Sequence, residues 1–227
     1  MMKRGLVLEG GGMRGLYTAG VLDYFMDEGI EFDYCIGVSA GACHASSYLS
    51  KQRGRSFRIN TAYLEDGRYV GVKNLLRTGS MFGMDFIFDE IPNRLDPFDY
   101  DTFAAYPVEV EAVVTNLDTG AEEYFPLDRR DDKFKLLQAT CALPFLFPVF
   151  HIQGRPCMDG GAADAIPYER AFAKGCDRVI VVLTRERDYV RRPEKLQPLI
   201  DLAYRKYPKF CDTMRRRADA YNEARQK

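Results

Sequence analysis

The chain has no tryptophan, only two histidines and no apolar run that approaches the length of a membrane span. Each shortage excludes something. His44 and His151 lie far apart in sequence, and the six cysteines (Cys35, Cys43, Cys141, Cys157, Cys176, Cys211) show no C-x-x-C spacing. Neither a zinc site nor a disulfide framework is indicated, and no metal or cofactor is expected. Free thiols in or near the core of a cytoplasmic protein are the simplest account of the cysteines. The formal net charge of -1 argues against nucleic acid as a partner. Lys3 and Arg4 precede an apolar stretch, but Glu9 and the glycines interrupt it after four residues, too few for the core of a signal peptide.

What is present suits one domain. The 227 residues are 46% hydrophobic and 29% charged, enough for a sizeable core and ordinary for a globular protein. Charge is uneven. From Arg185 to Lys227 there are 13 Lys/Arg against 7 Asp/Glu, whereas the rest of the chain has 19 against 26. A solvated helical surface is the plain reading of that basic segment. Peripheral contact with an anionic lipid surface is the sharper one.

Along the chain, Gly5-Leu6-Val7-Leu8 reads as a buried strand, followed by the glycine-dense turn Glu9-Gly10-Gly11-Gly12-Met13-Arg14-Gly15. Leu16, Ala19, Val21-Leu22 and Phe25-Met26 recur at helical spacing, and Gly29 stops that helix. Phe32 to Ile36 is a second strand. The first 50 residues therefore read β-α-β-α, the opening of a parallel sheet with right-handed crossovers. Residues 51–106 are turn-rich and aromatic. Two readings stay open there: a cap or insertion over a pocket, or loops whose aromatics pack onto the body, the second favoured residue by residue. Pro107 to Thr115 is a strand, Ala121 to Phe125 its partner, and Phe134 to Cys141 a helix. A hairpin spans Phe150 to Asp159, and a helix runs from Tyr168 to Lys174. Arg178 to Thr184 is a near-continuous apolar strand suited to a central parallel position, and helices follow to the end.

Gly37-Val38-Ser39-Ala40-Gly41 sits between the second strand and a helix rich in small residues. Strand, G-x-S-x-G, helix is the context of a nucleophile elbow. The sharp turn requires nearly side-chain-free neighbours, which Gly37 and Gly41 supply, and it sets the Ser39 hydroxyl at a helix N-terminus that favours negative charge. The first glycine turn supports two chemistries. Gly10, Gly12 and Gly15 fit the dinucleotide fingerprint G-x-G-x-x-G. That reading also wants an acid at the end of the second strand, and Asp33 stands at its start. Alternatively the turn is a nest of N–H donors, an oxyanion hole beside Ser39, to which Arg14 could add positive charge. A serine hydroxyl needs a base. His44 falls inside the elbow helix and His151 faces outward from the hairpin, so neither suits the role. Asp159, before Gly160-Gly161 at a strand end, is the better candidate.

These residues resemble a known family. Gly10-Gly11-Gly12-Met13-Arg14-Gly15, Gly37-Val38-Ser39-Ala40-Gly41 and Asp159-Gly160-Gly161, in that order, look like the patatin-like phospholipases, which are serine–aspartate lipid acyl hydrolases. Ala139-Thr140-Cys141-Ala142-Leu143-Pro144-Phe145-Leu146-Phe147-Pro148 also resembles the segment that precedes the family's aspartate. The resemblance spans roughly Gly5 to Leu183 and carries no motif for residues 51–106. It implies an α/β fold, a three-layer α/β/α sandwich with a mostly parallel central sheet. It also implies further sheet beyond Lys227, so the single domain 1–227 would be truncated at its C-terminus. Its expected chemistry is hydrolysis of a lipid acyl ester, with Ser39 as nucleophile, Asp159 as base and Gly10 to Gly15 as the oxyanion hole. The expected location is cytoplasmic, with peripheral membrane contact as an extension. The rival readings are a nucleotide-binding oxidoreductase and a catalytically silent lipid-binding protein.

Overall fold

The computed structural model describes residues 2–128 and 130–227. Strand β1 (Arg4–Leu8) runs through a 3-10 turn (Gly12–Arg14) into α1 (Gly15–Asp27). Gly29 follows at φ 62°, the left-handed geometry that ends the helix. Strand β2 (Tyr34–Val38) leads into α2 (Ala40–Leu49). The middle of the chain holds α3 (Arg55–Ala62), α4 (Val72–Thr78), a π-helical stretch (Phe86–Leu95) and α5 (Tyr100–Ala105). Pro92 lies inside the π-helical stretch, and its missing N–H suits a departure from α-helical bonding. Then come β3 (Glu109–Asn116), β4 (Glu122–Pro126), α6 (Lys135–Thr140), β5 (Phe150–Ile152), β6 (Arg155–Asp159) and α7 (Tyr168–Ala173). The chain closes with β7 (Arg178–Val182), α8 (Gln197–Ala203) and α9 (Pro208–Ala224).

The sheet order is β5-β6-β3-β2-β1-β7, with β4 also paired to β3. The pairings β1–β2, β1–β7 and β2–β3 are parallel, and those of β3 with β4, β3 with β6 and β5 with β6 are antiparallel. The expected parallel sheet is thus a four-strand parallel half joined to an antiparallel margin. Connection length explains the division. Helices join β1 to β2 and β2 to β3, while short turns such as Leu117–Ala121 can only return the chain antiparallel.

Alternation along the strands loads both faces. Leu6, Leu8, Cys35 and Ala112 pack with α1 and α2, while Val7, Tyr34, Ile36 and Val113 pack toward α7 and α9. Helices therefore cover both sides, as a three-layer architecture requires. A third cluster joins α8 and α9 to the antiparallel margin through Leu117, Met158, Phe210 and Met214. The middle segment has a small core of its own, built on Tyr69, Phe86 and Ile91.

One expectation is corrected. β7 is an edge strand beside β1, with Ile180 45% and Val181 36% exposed. An apolar run reports a liking for the pleated surface and says nothing of strand order. The crossover through α7 delivers the chain to the open side of β1, and among the described strands none lies beyond it.

The buried acid Glu111 of β3 ties α7 to the sheet. Its carboxylate accepts from Arg170 Nε and Nη2, each at 2.8 Å, and from Tyr34 Oη at 2.6 Å. Burial works against its charge, but the bonds from Arg170 and Tyr34 win and hold it down at about 2. A depressed acid stabilises the fold above its unfolded pKa, and that stability is lost as pH falls toward about 2. Arg170→Met is expected to cost roughly 3 kcal/mol in chemical denaturation. It should also move acid unfolding to higher pH, read by circular dichroism across a pH series.

Candidate active site

β2 ends at Val38 and α2 begins at Ala40, so Ser39 alone makes the turn. Its backbone is held at φ 54°, ψ -129°, a conformation that side-chain-bearing residues enter only under constraint. The constraint is visible. Ser39 N–H donates to Thr140 Oγ1 at 2.9 Å, and that hydroxyl donates onward to the Val113 carbonyl. Ser39 O accepts from the amides of Ala42 at 3.0 Å and Cys43 at 3.3 Å, which opens α2. A Cβ placed on Gly41 would stand 2.5 Å from Leu8 O, so only glycine lets the elbow helix sit against the end of β1.

The first glycine turn lies against the same elbow. A Cβ on Gly10 would be 2.9 Å from Val38 O and 3.0 Å from Ser39 Cβ. Parallel pairing of β1 with β2 puts both strand-to-helix turns on one edge of the sheet, and this contact is the result. The first bond of the 3-10 turn runs from Arg14 N–H to Gly11 O, so the amides of Gly12 and Met13 have no acceptor within it. Arg14 and Gly15 instead spend their N–H groups on the turn, Gly15 donating to Gly12 and Met13. Of the amides from Gly10 to Gly15, those of Arg14 and Gly15 are thus already bonded within the turn. Ala40, the first residue of α2, likewise has no acceptor inside its helix.

Asp159 closes β6, paired opposite Val114 of β3. Its N–H donates to Ala142 O at 2.9 Å and its carbonyl accepts from Thr115 Oγ1 at 2.8 Å. Its side chain caps the turn Gly160–Ala162, with Oδ1 accepting from Gly161 N–H at 2.8 Å. Ser39 and Asp159 line one cavity, and the Ser39 hydroxyl is a hydrogen-bonding influence on the carboxylate. Burial pushes the Asp159 carboxyl above the usual carboxylate range. Arg217, the Gly161 amide, Ser39 and Arg191 oppose that push without cancelling it.

The histidines stand aside. His44 is buried in α2 against Gly15; burial lowers it to about 4, and its Nε2 has no partner among the described residues. His151 is exposed on β5 opposite Pro156. Asp33, the acid a dinucleotide site would need, accepts from Arg4 N–H at 2.7 Å at the start of β2, the opposite edge from Ser39.

Several residues at the site carried no motif of their own. An apolar cavity of about 220 Å³ opens beside Ser39, walled by Ile59, Tyr69, Phe82, Phe88, Leu137 and Phe147. Four of these come from residues 51–106, so part of that segment's aromatic content faces a cavity. Cys43 and Cys141 also line it, their sulfurs 3.6 Å apart, and Cys141 lies close enough to Ser39 to feel its hydroxyl. Beneath the glycine turn, Glu9 is buried and accepts from Tyr221 Oη at 2.6 Å and from Thr184 N–H at 2.5 Å. Nothing in the sequence near Thr140, Glu9 or Tyr221 announces these contacts, because each joins elements distant in the chain.

The architecture and this edge of the sheet define an α/β protein with a serine elbow and a buried aspartate beside it. The family model for patatin-like phospholipases matches residues 6–172, and the chain belongs to that family. Over 223 residues it is 26% identical to the uncharacterized protein YjjU of Escherichia coli (strain K12), covering 87% of this chain and 59% of that protein. It is 25% identical over 187 residues to the lysophospholipase NTE1 of Candida glabrata, covering 78% of this chain and 10% of that protein. The chain thus spans little more than half of one relative and a small part of the other. VipD from Legionella pneumophila is a structural neighbour at TM-score 0.42 and 16% identity, over 72% of this chain and 47% of that one.

Because the Asp159 pKa is raised on folding, the native state favours its protonated form. Its stabilising contribution is full below the unfolded pKa and is lost as pH rises through the raised value. Asp159→Asn keeps an acceptor for Gly161 N–H and removes the buried charge. The variant is expected to unfold at a higher temperature than the wild type at neutral pH, with the gap closing as pH falls. Calorimetric scans across pH measure it.

Proposed function

We propose that the chain is a serine hydrolase of lipid acyl esters acting through Ser39 and Asp159. Family membership supports lipid hydrolysis as the general function. The observation that supports the finer reading is a strained serine that lines both an apolar cavity and a polar cleft, the latter shared with the buried Asp159. Asp159 accepts the Ser39 proton as Ser39 attacks the ester carbonyl. The tetrahedral oxyanion is met by amides of the Gly10 to Met13 turn and of Ala40. Asp159 returns that proton to the leaving oxygen as the alcohol departs, and the regenerated carboxylate then takes a proton from the water that releases the fatty acid from Ser39. A carboxylate is a weak base in water, and burial brings its proton affinity closer to what the step requires. The position of Asp33 weighs against the nucleotide-binding reading.

Ser39→Ala and Asp159→Asn are each expected to lower hydrolysis of a fatty-acyl p-nitrophenyl ester by at least about a thousandfold. A serine-directed fluorophosphonate should label the wild type at Ser39 and leave Ser39→Ala unlabelled. Wild-type turnover in either variant would defeat the dyad, and an unlabelled wild type would favour a silent lipid-binding protein. Since Asp159 must be ionised to act, kcat/KM should fall with decreasing pH along a limb above the ordinary carboxylate range.

Peripheral membrane contact is part of the same proposal. Leu196, Leu199 and Leu202, at and along α8, are 49%, 53% and 66% exposed, and exposed Lys195, Arg205 and Lys206 flank them. Leu199→Glu with Leu202→Glu should reduce co-sedimentation with vesicles containing anionic lipid. Equal sedimentation of variant and wild type would remove α8 from the contact.

A further inference from the structure

Ser39 lies on the boundary between two cavities of opposite character. One is the apolar cavity already described. The other, of about 270 Å³, is lined by Arg14, Arg185, Arg191 and Arg217 together with Glu9 and Asp159. The arginines come from four places: the first glycine turn, the segment after β7, the loop before α8, and α9. Three of the four lie beyond residue 172, outside the stretch that the family model matches.

These guanidinium groups outnumber the acids that line the cleft with them, four against two. Among the described residues none of the four forms an ion pair, whereas Arg55, Arg58, Arg68, Arg170 and Arg215 each do. The two acids in the cleft are otherwise engaged. Glu9 accepts from Tyr221 and Thr184, and Asp159 from Gly161. Aromatic faces and backbone hold the arginines in place instead. Arg185 lies over the Tyr189 ring at 4.2 Å, and Arg191 over Tyr221 at 5.0 Å. Arg217 Nε donates to Gly161 O at 2.7 Å, and the Arg191 backbone exchanges bonds with the Asn222 side chain. The like charges act on one another: burial, then Arg191, lowers Arg217 to about 10, and burial, then Arg185, lowers Arg14. Four crowded cations with unspent N–H forks are complementary to a phosphoryl group, which takes bidentate bonds and relieves the repulsion.

We propose that this cleft is a subsite for the phosphoryl group of an anionic glycerophospholipid whose acyl chain occupies the apolar cavity. The inference rests on the reading of Ser39 as the nucleophile for an acyl ester. The order of the parts matches the order of groups in such a lipid: apolar cavity, Ser39, arginine cleft on one side; chain, ester carbonyl, phosphate on the other. A head group bearing a quaternary ammonium would bring a cation among four guanidinium groups. The substrate class is therefore a phosphate-bearing acylglycerol without a cationic head group.

The first test is binding to Ser39→Ala, which cannot turn over. Calorimetric titration should show binding of glycerol 3-phosphate and of inorganic phosphate but not of glycerol, and Arg185→Gln with Arg191→Gln should weaken it about tenfold to a hundredfold. No phosphate binding overturns the proposal. The second test compares kcat/KM for an octanoyl glycerol phosphate and octanoyl glycerol, both below their micelle concentrations. The wild type should prefer the phosphate ester, and the paired arginine substitutions should shrink that ratio by a similar factor. Equal losses on both substrates would assign the arginines a structural role and overturn the proposal. Binding of inorganic phosphate with no preference between the two esters would make the cleft a free-anion site and also overturn it. If Ser39→Ala binds glycerol 3-phosphate while the wild type hydrolyses neither ester, the hydrolase reading fails and the phosphoryl subsite stands. Arg185 is exposed and stacks only on Tyr189, so Arg185→Gln alone serves if the double variant does not fold.

Discussion

Everything at the active edge depends on how closely the end of β1 approaches the start of α2. The space between Leu8 O and Gly41 will not admit one carbon atom, and the space between Gly10 and Val38 O is little larger. Parallel strands bring their carboxyl ends together, but ordinary side chains would hold the two turns apart. Glycines on both sides remove that spacing. The donor turn and the serine then become neighbours. The strain at Ser39 is the counterpart of this closeness, and hydrogen bonds running through Thr140 to the Val113 carbonyl of β3 hold the residue in place.

The same edge shows why part of the molecule was legible in the sequence. Gly37, Gly41 and the run Gly10 to Gly12 answer steric demands made within a few residues, so their meaning survives in a linear reading. Asp159 is legible only by contrast: with His44 inside a helix and His151 on an outward-facing hairpin, a carboxylate before two glycines is the remaining candidate base. The parallel start of the sheet, β1 and β2, was legible as well, because alternating strands and helices admit few connections. Other features were not. β7 is as apolar as a central strand, and its edge position follows only from the crossover that precedes it. Thr140, Glu9 and Tyr221 matter through partners 27 to 212 residues away, and no local pattern records such a pairing. The basic C-terminal segment read as a surface feature. The packing of α9 along the sheet turns Arg217 into the cleft, and a helical period alone does not say which side faces it.

Two environments meet at one side chain. On one side of Ser39 the walls are aromatic and aliphatic, largely from residues 51–106 and α6; on the other they are guanidinium groups and glycine backbone. Asp159 belongs to the polar side yet is almost wholly removed from water. Its proton affinity therefore reflects a balance between dehydration and nearby positive charge. A change in the arginine wall would be felt at the carboxylate even without contact with substrate, since field and burial act on it together.

The paired thiols of Cys43 and Cys141 have a practical consequence. They touch across the floor of the apolar cavity, with Cys141 next to the serine hydroxyl. A maleimide or alkyl iodide that reached Cys43 would plug the chamber where a hydrocarbon tail would lie. A serine enzyme built this way would be silenced by reagents usually taken as diagnostic of a cysteine nucleophile, and such inhibition would report on occupancy of the chamber and not on the attacking atom.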